Sequence, residues 1–131
     1  MNIKTLCATL FYLAASAVHA GEESLFRMTS PAGHVFQEVE RKDDASTVEA
    51  VTASGSVAAK SMFLVRGSCA LMKERKQQAF RIERLSRQPI RFIVRFVAPE
   101  DTNNQAPDPA MGEHAVISAA WCERLASLKM Q

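Results

Sequence analysis

Glycine, histidine and cysteine are all scarce in this chain, with five, three and three residues among 131. The five glycines are dispersed, so no glycine-rich loop is available to cradle a phosphate. His19, His34 and His114 are far apart, and neither His-x-x-x-His nor Cys-x-x-Cys occurs, which removes the common metal-ligand spacings. Gly-x-Ser-x-Gly and Ser-x-x-Lys are also missing, so no serine nucleophile is marked by its surroundings. The acidic pairs Asp43-Asp44 and Glu100-Asp101 stand side by side in polar stretches. Bond cleavage by general acid and base needs two carboxyls facing one substrate, which neighbouring residues in a loop do not supply. No internal repeat or low-complexity tract is visible, and no apolar run reaches the roughly 20 residues that span a bilayer. These absences name no catalytic, cofactor-binding or metal-binding residue, and they weigh against an enzyme.

What is present begins at the amino terminus. Met1-Asn2-Ile3-Lys4 is a short basic start, Leu6 to Val18 is apolar without an acid, and Val18-His19-Ala20 puts small residues at the two positions a signal peptidase reads. Residues 1–20 are therefore expected to be a cleaved signal peptide, with 21–131 a single small domain in the periplasm or outside the cell and no membrane span left after cleavage. Cleavage removes Cys7 and leaves Cys69 and Cys122, an even pair in an oxidising compartment, for which one disulfide is the simplest reading. A thiol–imidazole pair of Cys69 with His114 is the rival. It is disfavoured because Cys69 lies on an apolar stripe, whereas a reactive thiolate needs an exposed electropositive site.

Charge is distributed unevenly. Residues 60–95 carry ten basic and two acidic groups, while residues 21–59 are net −4 and residues 96–131 net −3. Within the basic block, Phe80, Ile82 and Arg84 alternate with Arg81 and Glu83. After Leu85 to Pro89, the residues Ile90, Phe92, Val94 and Phe96 alternate with Arg91, Ile93, Arg95 and Val97. Two runs of period two around a short polar link predict a β-hairpin over 80–97. A register of Ile82 with Phe92 and Phe80 with Val94 sets Glu83 opposite Arg91, a favourable cross-strand pair. Arg81, Arg91 and Arg95 then line the face away from the apolar residues, continued by Arg87 at the turn.

Elsewhere the signals are weaker. Leu25 to Met28 and His34 to Val39 read as short strands around a turn at Thr29 to Gly33. In the second of these, Phe36 and Glu38 fall on one side. Arg41 to Asp44 reads as a charged loop. Ser46-Thr47-Val48-Glu49 fits a helix capping box and also alternates like a strand, leaving residues 40–60 ambiguous, with Gly55 as a break. From Val57 to about Gln77 the spacing of Ala58, Met62, Val65, Cys69 and Met72 predicts a helix, against a competing strand at Met62 to Arg66. Ala98 to Gly112, with three prolines, reads as a long loop. A terminal helix over 115–129 aligns Ile117, Trp121, Leu125 and Leu128.

The expected fold is α+β: a small antiparallel sheet containing the 80–97 hairpin, with two helices packed on one face and stapled by Cys69–Cys122. Its core is expected from Met62, Val65, Cys69, Phe80, Ile82, Phe92, Val94, Phe96, Trp121 and Leu125. The functional expectation is a non-enzymatic binding protein of the cell envelope, an inhibitor or accessory factor for another exported protein. Arg81, Arg87, Arg91 and Arg95 are its candidate contact residues, since guanidinium forks pair with carboxylates and phosphates. The alternative is a binder of anionic envelope polymer or lipid through the same arginines, with a small hydrolase the weakest reading. Nucleic acid is disfavoured, because the domain is near neutral and no stacking aromatics are interleaved with the arginines.

Overall fold

A computed structural model describes residues 24–53, 55–98 and 115–128. The expected signal peptide and nearly all of the proline-bearing loop lie outside the described residues. The elements are β1 (Arg27–Thr29), β2 (Val35–Lys42), β3 (Ala45–Val51), α1 (Val57–Glu74), β4 (Ala79–Arg87), β5 (Ile90–Phe96), β6 (Ile117–Ser118) and α2 (Ala119–Ser127). The strands form one antiparallel sheet in the order β1-β2-β3-β5-β4-β6, so the fold is the expected α+β type with a Cys69–Cys122 disulfide.

The sheet begins as a meander. Gly33, at φ +88°, takes the left-handed conformation that glycine adopts freely, and it turns β1 into β2. Ser46 to Glu49 belongs to β3 and is no capping box: with alternate side chains buried, strand pairing on both sides outweighs the local capping option. The helix cap is instead Ser56, whose Oγ accepts from the Ala59 amide at 3.1 Å. Helix α1 then carries the chain across the sheet to β4, and β5 returns to pair with β3.

Inward-facing side chains from the central strands make the core. Phe36, Val48, Phe80 and Val94 are fully buried, joined by Ala50, Phe92 and Phe96. Phe36 meets Phe26 and Phe92 edge-on at 5.9 and 5.8 Å between ring centroids, a favoured aromatic geometry. The helix lies directly against this cluster at Gly67. A Cβ there would fall 2.6 Å from Phe36 Cγ and 2.7 Å from Cε2, so only glycine permits the approach.

That contact rotates α1 relative to the sequence expectation. Its buried residues are Phe63, Gly67, Ser68, Leu71 and Met72, whereas Ala58 is exposed and Met62 and Val65 are half-buried outside the core cluster. Apolar residues surround this helix, so periodicity alone did not select the face that the glycine selects. The hairpin exists, but its register is shifted by two: Ile82 pairs with Val94 and Phe80 with Phe96. The strands run to Arg87 and from Ile90, leaving only Gln88 and the cis-linked Pro89 as the turn, with a bulge at Leu85 absorbing one residue. Finally, Ile117 is in β6, paired to Phe80, and the terminal helix starts only at Ala119 with Ser118 as its cap. Leu125 is buried as expected, Trp121 is half-buried against the core, and Leu128 is 64% exposed.

Candidate functional site

Three places in the fold concentrate polar or reactive groups. The first is the sheet face away from the core. In an antiparallel sheet, opposed residues share a face, so Arg81, Glu83, Arg91, Arg95, Glu49, Thr47 and Ile93 lie together there. None of them is fully buried among the described residues, in contrast to the core face. The arginines are internally paired. Arg91 sits directly across from Glu49 and reaches it through Nη2 at 2.7 Å and Nε at 2.9 Å. Arg95 binds Glu83 with both prongs, Nε to Oε1 at 2.7 Å and Nη2 to Oε2 at 3.0 Å, and approaches Asp44 at 3.6 Å. The Glu83 carboxylate raises the Arg95 pKa above its ordinary value, through hydrogen bonding first and charge second. Arg81 faces Arg95 across the strands, and Glu83, 3.9 Å from Arg81, screens the two like charges.

Arg87 departs from this group. The bulge at Leu85 shifts the phase of β4, and Arg87 pairs with Ile90, whose side of the sheet is the core side. The structure therefore brings Arg81, Arg91 and Arg95 together and separates Arg87 from them. The expected Glu83–Arg91 pair is absent: the two-residue shift sets Glu83 opposite Ile93, from where it binds its diagonal neighbour Arg95, while Arg91 pairs with Glu49, its opposite residue on β3.

The second place is a buried ion pair. Glu38 is fully buried on the core face of β2. In a regular strand the residue three positions on would point away, but a bulge between Glu38 and Glu40 restores Arg41 to the same face. Arg41 donates from Nη2 to Oε1 at 2.6 Å and from Nε to Oε2 at 3.0 Å. Ser46 Oγ donates to the same carboxylate, as does the Phe26 amide at 3.1 Å. Burial alone would raise the Glu38 pKa, yet the hydrogen bonds from Arg41, Ser46 and Phe26 outweigh it and hold the value below the ordinary 4.5. Arg75, just past α1, bonds Ser46 Oγ and the Ala45 carbonyl at 3.0 Å and the Lys42 carbonyl at 2.6 Å, while its guanidinium lies 5.0 Å from the Phe96 ring centre. Each of these groups is satisfied from within the protein, and the arrangement ties the end of α1 to the β2–β3 turn. His34 is similarly engaged: its Nδ1 accepts from the Ala53 amide at 2.8 Å beside Phe63.

The third is a groove of about 620 Å³ between the second half of α1 and α2. Met72, Leu125 and the Cys69–Cys122 disulfide contribute to its floor, and Arg66, Lys73 and Lys76 stand along it. The disulfide joins the helices with its Cα atoms 5.7 Å apart. The sequence singled out none of these three cations, although they belong to the basic block; the alternation of the hairpin drew the charge argument to the sheet. No group of three or more metal-ligating side chains occurs among the described residues, and no helix there is long and apolar enough to cross a membrane. Comparison with known protein families, curated proteins and solved structures returns no match to this chain.

Proposed function

We propose that the chain is an exported, non-enzymatic binding protein of the cell envelope, an accessory or inhibitory factor that engages another exported protein through the open face of its sheet. The observation that carries this reading is the pattern on that face. Alternating, already neutralised Arg–Glu pairs (Arg91–Glu49 and Arg95–Glu83) flank Thr47 and Ile93 and present both signs of charge at fixed spacing. Complementary charge on a partner gives specificity and orientation more than raw affinity, which suits recognition of one protein surface. Further support comes from the buried ionisable groups and the cysteines. Glu38, His34, Cys69 and Cys122 are all held in structural contacts, and the disulfide suits an oxidising compartment.

Capture from native envelope extract at low and moderate salt tests the reading. One protein is expected to be retained at both, and to be lost when Arg91 and Arg95 are reversed to glutamate. The second reading, an anionic polymer or lipid held by arginine, draws on Arg84 and Arg87. These exposed residues make no ion pair among the described residues and stand near the hairpin turn. Screening acts on exposed charges, so that reading requires retention that falls steeply with salt.

A further inference from the structure

We propose that the groove between α1 and α2 binds an anionic amphiphile, a single carboxylate or phosphate head on an unbranched acyl chain. This site lies on the helix side, away from the protein contact proposed above, and does not depend on it. Its volume of about 620 Å³ falls within the range of roughly 300–1,000 Å³ typical of small-molecule sites. Met72, Leu125 and the disulfide give the floor its apolar character, and Leu128, 64% exposed, stands at its edge.

The cations along it supply the complementary charge. Arg66 and Lys73 are seven residues apart, two turns of α1, and so share one side of the helix. Lys76 follows just past its end. The side chains of all three make no hydrogen bond or ion pair among the described residues, unlike the paired arginines of the sheet face. Glu123 is the one acid among the described lining residues. Arg66 is only half-buried, and an anionic head in the groove would meet the exposed part of its guanidinium with a charge-assisted bond. A docked peptide helix would need an apolar stripe of several turns, more than this floor provides.

Isothermal titration of the purified, oxidised protein tests the assignment, with decanoate, decyl phosphate, decanol, acetate and inorganic phosphate as probes, all below micellar concentrations. Saturable one-to-one binding is expected for decanoate or decyl phosphate, with the tighter of the two identifying a fatty acid or a phosphorylated lipid as the source. Decanol and the bare anions are expected to bind at least about tenfold more weakly, as the loss of one charge-assisted hydrogen bond or of the apolar contact implies. Arg66→Met, which keeps the apolar stem, is expected to weaken binding by about tenfold. The exposed pair Lys73→Gln/Lys76→Gln is expected to weaken it several-fold, and this pair serves if the Arg66 variant does not fold. Equal binding of decanol, no effect of these substitutions in folded protein, or no saturable binding of either amphiphile would overturn the proposal. Capture of an acidic amphipathic peptide in their place would overturn it as well.

Discussion

Replacing Glu38 with glutamine leaves the shape of the side chain almost unchanged and removes its charge. The carboxylate accepts from Arg41 Nε and Nη2, from Ser46 Oγ and from the Phe26 amide, with no exposed surface. Breaking a buried ion pair from one side costs about 3–5 kcal/mol, because the remaining charge stays uncompensated. Arg41 retains 19% side-chain exposure and can recover some hydration, which sets the expected loss at the lower end, about 3 kcal/mol. Against a domain stability of about 5–15 kcal/mol, that is a shift urea denaturation reads directly. Arg41→Met is expected to cost more, because the stranded carboxylate is wholly buried. The double variant Glu38→Gln/Arg41→Met is expected to lose less than the sum of its parts, since no charge is then left alone. The pH dependence follows from the lowered pKa of Glu38 in the folded protein. Its stabilising contribution is complete above the unfolded value near 4.5 and is lost as the pH falls through the lower folded value. Glu38→Gln should remove that acid-sensitive part of the stability curve. A loss below about 0.5 kcal/mol, the range of neutral surface changes, or strict additivity in the double variant, would refute the reasoning.

Gly67→Ala sets helix propensity against packing. Alanine gains about 1 kcal/mol in a helix interior, but its Cβ would overlap the Phe36 ring, and overpacking costs about 1–3 kcal/mol. A net fall in thermal midpoint is expected, reduced when Phe36→Leu is combined with it. Removing the disulfide with Cys69→Ala/Cys122→Ala opens a loop of roughly 54 residues, for which chain entropy gives a loss of about 4 kcal/mol; comparison of urea midpoints with the oxidised protein measures it. Arg91→Met breaks a pair whose arginine is 50% exposed, so its cost should stay below about 1 kcal/mol. A larger loss would make the sheet-face pairs a source of stability rather than a contact surface.

The hairpin and the disulfide were legible in the sequence because each rests on a local or countable signal. Strict alternation marks Phe80 to Phe96, and two cysteines remain once Cys7 is set aside. The register was not legible, since the link read over Leu85 to Pro89 is in fact a two-residue turn, a change of three in the pairing, and the bulge at Leu85, which has no sequence mark, takes one of the three back. The same holds for Glu38 and Arg41. Alternation put Glu38 on the same side as Phe36 without saying which side is buried, and the bulge at Val39 that brings its cation to it appears only in the fold. In α1 the difficulty was an excess of candidates, with apolar residues around the whole helix and the decisive residue a glycine. Strand β6 is two residues long, too short for any periodicity. Among the candidate contact residues, Arg81, Arg91 and Arg95 share the open face as alternation implied, whereas the acids that pair with Arg91 and Arg95 follow from the true register.

The most direct test of the proposed protein contact exchanges one charge pair, Glu49→Arg with Arg91→Glu, and repeats the capture from envelope extract. The exchange preserves the internal ion pair, so the thermal midpoint should stay within about 2 °C, as for a near-neutral surface change. Loss of the retained partner with the fold intact is the predicted result. Undiminished capture by the exchanged protein, at both low and moderate salt, would contradict recognition through the open sheet face.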